Sequence, residues 1–99
     1  MSLSVRLRHV AQKEYDEAAD WYEARSDGLG VRFVAALQKT IDAIAEQPDR
    51  YPEVWPDVRE ALVSGWPYAV YYQIHTDHVV VIAVFHAARD PAVWQRRTL

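Results

Sequence analysis

The sequence predicts an α+β fold of order β-α-α-β-β-β-(α), with a helical hairpin packed on one face of a four-stranded, mainly antiparallel sheet. Three observations predict it. The first residues alternate apolar and polar with a period of two. The next stretch, to Pro48, repeats its apolar residues at helical spacing. Three further runs rich in Val, Tyr and Ile follow, separated by turn residues.

Each element follows from its residues. Leu3, Val5 and Leu7 alternate with Ser4, Arg6 and Arg8, the pattern of a half-buried strand over residues 3–8. Ala11, Tyr15, Ala18 and Tyr22 then fall on one helix face, opposite Lys13, Glu14, Asp16, Glu17, Asp20 and Glu23. That helix should end near Arg25, because Ser26-Asp27-Gly28 is turn chemistry. Leu29, Phe33, Leu37, Ile41 and Ile44 give a second helix, which should stop at or before Gln47 because Pro48 disfavours helical geometry in its predecessor.

Residues 48–57 hold three prolines and read as an irregular connection. Strands are expected at Val58–Val63, Tyr68–His75 and His78–Ala87, broken by Ser64-Gly65 with Pro67 and by Thr76-Asp77. The last strand is apolar on both faces: Val79, Val81, Ala83 and Phe85 are expected to point one way, and Val80, Ile82 and Val84 the other. Such a strand lies inside a sheet covered on both sides. The hairpin covers one side. The C-terminal residues, a second copy or another protein must cover the other, and an uncovered apolar face would mark an interaction surface. Asp90-Pro91 then starts a short terminal helix, with Arg96 and Arg97 suited to its negative end.

Composition bounds the function. The 99 residues are expected to form one domain, 1–99, and the 51% hydrophobic content permits a real core. Cysteine is absent, which excludes thiolate metal sites and thiol nucleophiles in this chain and favours a reducing, cytoplasmic setting. The start, MSLSVRLRHV, lacks the apolar core of a secretion signal, and no apolar run is long enough to span a bilayer. The net charge is −3, with seven Lys/Arg against eleven Asp/Glu in residues 1–57 and four against three in residues 58–99. Binding nucleic acid over a broad face normally needs a basic balance, so general nucleic-acid affinity is not expected. His75 and His78 flank a turn, but two imidazoles make a poor metal site. The three glycines are too scattered for a phosphate-cradling loop. No metal or cofactor is expected.

Several residue groups, in this order, resemble the RelE/ParE toxin superfamily (plasmid stabilisation system proteins), and its ParE-like branch more than its RelE-like branch. They are Ala18 with Trp21-Tyr22-Glu23, Leu29-Gly30 with Phe33, Ile44 with Pro48 and Tyr51-Pro52, Arg59, Trp66-Pro67-Tyr68-Ala69-Val70-Tyr71-Tyr72, Ala83-Val84-Phe85-His86, and Arg89-Asp90-Pro91 with Trp94 and Arg97. The resemblance covers nearly the whole chain. It implies a bacterial toxin of a type II toxin–antitoxin system, held by a cognate antitoxin in a hetero-oligomer, with a homodimer as the other assembly considered. ParE-like members are associated with inhibition of DNA gyrase, RelE-like members with cutting mRNA on the ribosome. Fold alone does not choose between them.

The residues permit both chemistries to be weighed. Metal-independent RNA cleavage needs an acid, a base and cations for the phosphate. Arg59, His86 and Arg89 are the candidates, with Tyr68, Tyr71 and Tyr72 able to stack or donate, and His86 and Arg59 expected to be close enough to converge. Against this stand the acidic balance, Tyr68 or Ala69 where several RelE-like nucleases carry an Arg, and Ala87 where an aromatic often follows the His. The favoured reading is therefore a binding-type toxin, with Arg59, Tyr68, Tyr71, Arg89, Trp94 and Arg97 as partner- or target-binding candidates. The plain alternatives are a boundary role for His86, pairing of Arg89 with Asp90, a packing role for Trp94, helix-end electrostatics for Arg97, and a member that binds its antitoxin but poisons nothing.

Overall fold

The computed structural model describes residues 2–98. The chain forms β1 (Ser4–Leu7), α1 (His9–Arg25), α2 (Leu29–Glu46), a 3₁₀ turn at Pro48–Arg50, β2 (Glu53–Trp55), β3 (Val58–Leu62), β4 (Tyr68–Ile74), β5 (His78–His86), α3 (Ala92–Gln95) and a closing 3₁₀ turn at Arg96–Thr98. The α+β architecture and the element order are as the sequence predicts.

The sheet has five strands, in the order β1-β5-β4-β3-β2. The fifth is β2, from the proline-rich stretch expected to be irregular. It pairs Glu53 with Arg59 and Trp55 with Val58 at the sheet edge, the one place where a strand tolerates flanking prolines. Its turn into β3 puts Asp57 at φ 62°, a conformation that Asp tolerates better than most residues. β5 is interior, parallel to β1 and antiparallel to β4.

The helical hairpin covers one sheet face. The α2 stripe of Phe33, Leu37, Ile41 and Ile44 is buried against Val70, Tyr72, Val79, Val81 and Val84. α1 buries only Ala11 and Ala18 fully, and these small side chains let it lie close to β5. The helices cross tightly at Gly30, where a Cβ would meet Ala19 O at 2.5 Å. Glu23 secures the crossing: its Oε2 accepts Gly28 N–H at 2.8 Å and its Oε1 accepts Gly30 N–H at 2.9 Å, satisfying free donors at the start of α2.

The C-terminal residues cover the other face. Trp94, 2% exposed, packs with Val58, Ile82, Ala83 and Phe85, and its ring stacks on Tyr71 at 4.2 Å. The two-faced apolar strand thus finds its second cover within the chain. Asp90 starts this segment by accepting Ala92 N–H at 3.0 Å.

The expected alternation of β5 breaks at one point. Tyr71 pairs with Ala83, but Tyr72 pairs with Val81, so Ile82 is an extra residue in β5. Such a bulge reverses the facing of everything beyond it. Val79, Val81 and Val84 therefore face the helices, while Ile82, Ala83 and Phe85 face the C-terminal segment. Ala83 and Phe85 do not share a face with Val79 and Val81, as strict alternation had predicted.

Candidate functional site

The bulge and the end of β1 together shape the site. β1 pairs with β5 only as far as Leu7–Val81, and Arg8 N–H closes the ladder on Val81 C=O at 3.1 Å. There the chain turns into α1, so among the described residues no strand lies beside the rest of that β5 edge. Side chains take its polar groups. Ile82 C=O accepts from Arg97 Nη1 at 2.9 Å, and Val84 N–H donates to Glu14 Oε1 at 3.1 Å.

Glu14 is the hub. Its Oε1 accepts from Arg97 Nη1 at 2.9 Å, and its Oε2 accepts from Arg97 Nη2 at 2.9 Å and Arg89 Nη1 at 2.8 Å. The Glu14 and Arg97 side chains are 11% and 14% exposed, that of Arg89 45%. Both guanidinium groups lie by the Phe85 ring, Arg89 Cζ at 4.2 Å and Arg97 Cζ at 5.8 Å. Four donors on one carboxylate leave no room for a free acid or base there. Glu14 is therefore not on a solvated face of α1, as its grouping with Lys13, Asp16 and Glu17 predicts. Its spacing from Ala11 (three) and to Ala18 (four) puts it on the buried stripe, a signal that was available.

Beside this hub a groove of about 550 Å³ opens between α1 and the ends of β4 and β5. Its walls are Trp21, Tyr22, Pro67 and Tyr68, with His86, Arg89 and Glu14 at one end. Arg25 lies over the exposed Trp21 ring at 4.2 Å. Burial, with a smaller influence from Tyr22, pushes the Tyr68 phenol above its ordinary value, so at neutral pH it is a donor and no base. His86 packs edge-on against Tyr68, ring centroids 5.1 Å apart. Its Nδ1 accepts Ala88 N–H at 3.0 Å, in its own turn. A backbone N–H can only donate, so that Nδ1 lone pair is in use and the neutral ring carries its proton on Nε2. His86 thus presents a donor to the groove, and working as a base would break the turn.

The groove unites Tyr68, His86 and Arg89, and Arg97 joins them through Glu14. The other candidates lie elsewhere. Arg59 Nη1 donates to Tyr51 O at 2.6 Å and Asp49 O at 3.3 Å, tying down the 48–52 connection. Arg59 pairs with Tyr72 and His86 with Tyr68. Four residues along β4 and two strand spacings separate the two backbones by roughly 16 Å. The expected convergence of His86 with Arg59 does not occur. Tyr71 and Trp94 are on the opposite sheet face, where the Tyr71 hydroxyl donates to Glu60 Oε2 at 2.6 Å and the Trp94 indole N–H is buried against the Tyr71 ring. Arg89 pairs with Glu14 in place of Asp90.

His75 and His78 stack at 4.9 Å, and the His78 ring bonds to Asp77 Oδ1 at 2.7 Å. Among the described residues no group of three or more His, Asp or Glu is placed to hold a metal ion, and no helix is long and apolar enough to cross a membrane.

A family model described as the ParE toxin of the type II toxin–antitoxin system parDE matches residues 5–91. A chain of the chromosomal ParDE system from P. aeruginosa superposes with a TM-score of 0.73 at 14% identity, over 86% of this chain and 96% of that one. A double-arginine mutant of the E. coli toxin RelE in its free state gives 0.72 at 21% identity, over 100% of both chains. The same mutant in complex with a peptide of the antitoxin RelB gives 0.60 at 22%, over 98% of this chain and 95% of that one. At these identities the structural likenesses speak for the fold alone. No curated protein matches the chain.

Proposed function

Because this chain belongs to the ParE toxin family of type II toxin–antitoxin systems, we propose that it is a cytoplasmic toxin that poisons by stoichiometric binding to a protein target, with DNA gyrase the target its ParE-like character implies. Its partner at rest is a cognate antitoxin, which forms a hetero-oligomer with it. The ParDE and RelE–RelB structures among its neighbours support such a partner.

One observation carries the choice of binding over catalysis. The three candidates for cleaving RNA are not assembled: Arg59 is engaged with Tyr51 O far from the groove, and the Nδ1 of His86 is engaged with Ala88 N–H. General acid–base cleavage needs both roles within reach of one substrate. The acidic balance of the chain points the same way. On this reading Tyr68 and Arg89, at the groove mouth, are the target-facing residues, and Arg97 positions Arg89 through Glu14.

The second reading is a ribosome-dependent mRNA endonuclease, favoured by His86, Tyr68 and Arg89 sharing one groove. Induced expression in a bacterial host separates the two, with DNA supercoiling and transcript integrity followed together. Lost supercoiling with intact transcripts supports the gyrase reading. Rapid transcript cleavage with normal DNA overturns it. Normal growth with neither change identifies an inactive member.

A further inference from the structure

The groove beside the Glu14 hub offers donors and almost no acceptor. Each Glu14 oxygen already accepts two bonds, from Arg97 and Val84 N–H on one side and from Arg97 and Arg89 on the other. Arg89 spends only Nη1 there, so its other guanidinium N–H groups have no acceptor among the described residues. The same holds for His86 Nε2–H and for the Tyr68 hydroxyl. Arg89 lies near enough for its charge to act on that hydroxyl. Three side chains thus present donors to one end of the groove, and the half-exposed charge among them is cationic. Glu17, on the α1 rim, is paired with Lys13 at 3.7 Å and stands largely in water.

The rest of the groove is apolar. Trp21, Tyr22 and Pro67 line it, and Trp21 is 52% exposed with Arg25 over its ring. Seven residues of α1 separate Glu14 from Trp21, a run of about 10 Å. Side chains on one side of an extended chain recur about every 7 Å. An acid and an aromatic residue two positions apart therefore reach from the donors to Trp21.

We infer that this groove docks an extended segment of the toxin's target that carries a carboxylate and, two residues away, an aromatic side chain. The carboxylate meets Arg89, His86 and Tyr68, and the ring lies against Trp21 and Tyr22. That the segment belongs to the target rests on the function proposed above. Its chemistry comes from the groove. A neutral acceptor would leave the Arg89 charge unanswered once the groove is filled. A run of phosphates is opposed, because α1 carries Glu17 and Asp20 beside Trp21. One carboxylate matches one guanidinium, and aromatic walls match a ring.

The test uses the whole chain and capped five-residue peptides with Asp and Trp two positions apart, in either order. Twins carry Asn for Asp or Ala for Trp, and adenosine monophosphate is the nucleotide probe. Amide NMR on the labelled chain reads affinity and place. The better Asp–Trp peptide should shift Tyr22, Tyr68 and His86 and bind roughly tenfold tighter than either twin. Arg89→Gln should erase the preference for Asp over Asn. Tyr68→Phe, which removes only the hydroxyl, should reduce it by about threefold. Equal binding of the acid and amide peptides, or shifts that spare these residues, overturns the inference. So does tighter binding of the nucleotide, which would favour the endonuclease reading. Trp21→Ala tests the source. It should lower toxicity by roughly tenfold while affinity for the antitoxin encoded beside this chain stays within about threefold of the parent. A matching loss of antitoxin affinity would assign the groove to the antitoxin, and unchanged toxicity would detach it from the target; either result refutes the attribution. The peptide titration needs no toxicity, so its failure and a negative supercoiling assay are separate results.

Discussion

Glu14 and Arg97 lie 83 positions apart and meet through two bonds of 2.9 Å each. The pair fastens the last turn of the chain to the first helix and, through Ile82 and Val84, closes the free edge of β5. Both side chains are largely withdrawn from water, so losing Glu14 strands the Arg97 charge, and losing Arg97 leaves Glu14 only the half-exposed Arg89. Arg97→Ala or Glu14→Gln should each cost about 3 kcal/mol in urea unfolding. Because the two act as a unit, the double variant should cost clearly less than the sum of the singles. Additive costs would mean that the pair contributes packing alone.

A second prediction concerns the helix crossing. A methyl group at Gly30 would press on the Ala19 carbonyl at 2.5 Å and the Glu23 Cβ at 2.8 Å. The first is backbone and cannot swing aside. Elsewhere in a helix, Gly→Ala is favourable by up to about 1 kcal/mol. Here Gly30→Ala should instead destabilise by about 1–3 kcal/mol, because α1 and α2 must part. Thermal unfolding checks the sign, and a gain in stability would show that the crossing is slack.

Two tyrosines predict the alkaline limb of stability. Tyr72 is fully buried, and its hydroxyl donates to Pro48 O. Burial, opposed in part by Arg59, raises its pKa to about 12. Burial and the bond to Glu60 raise Tyr71 further still. A folded-state pKa above the unfolded one means that the folded chain holds its phenol protons more tightly. The resulting stability is fully present below about pH 10. It is lost as pH climbs from there through the folded values, with the Tyr72 share gone by about 12. Urea midpoints should therefore fall across that window. Tyr72→Phe should flatten part of the fall while lowering stability at neutral pH by about 1 kcal/mol, the worth of the lost hydrogen bond. An unchanged slope would remove Tyr72 from the account.

How legible all this is in the sequence depends on the range of each signal. The helices and four strands follow from local periodicity, because Leu29, Phe33, Leu37 and Ile41 need only a period and a face. β2 is hidden because prolines flank its three residues, and only pairing with Arg59 and Val58 of β3 makes them a strand. The bulge at Ile82 is invisible to a period of two, yet it decides that Phe85 lies under Arg89 and Arg97 while Val84 faces α1. The site is harder again. Its hub joins residues 14, 89 and 97, whose meeting is set by the end of β1 and the fold-back of the C-terminus. Glu14 could have been singled out as a charge on a buried stripe, although not its partners.

The last prediction separates the two modes of action. In the binding reading His86 is a boundary residue, its Nδ1 spent on Ala88 N–H and its edge set against Tyr68. His86→Ala should then loosen the 86–89 turn slightly and leave toxicity within a few-fold of the parent. Arg89→Ala should weaken toxicity more, because the half-exposed guanidinium at the groove mouth is lost. Arg59→Ala should act mainly through stability, freeing the Tyr51 and Asp49 carbonyls it now holds. A nuclease predicts a different order. There His86→Ala would abolish toxicity while antitoxin binding and the unfolding midpoint stay near the parent values. Growth inhibition measured beside urea midpoints for the three variants distinguishes these orders, because only a catalytic His86 uncouples activity from both folding and binding.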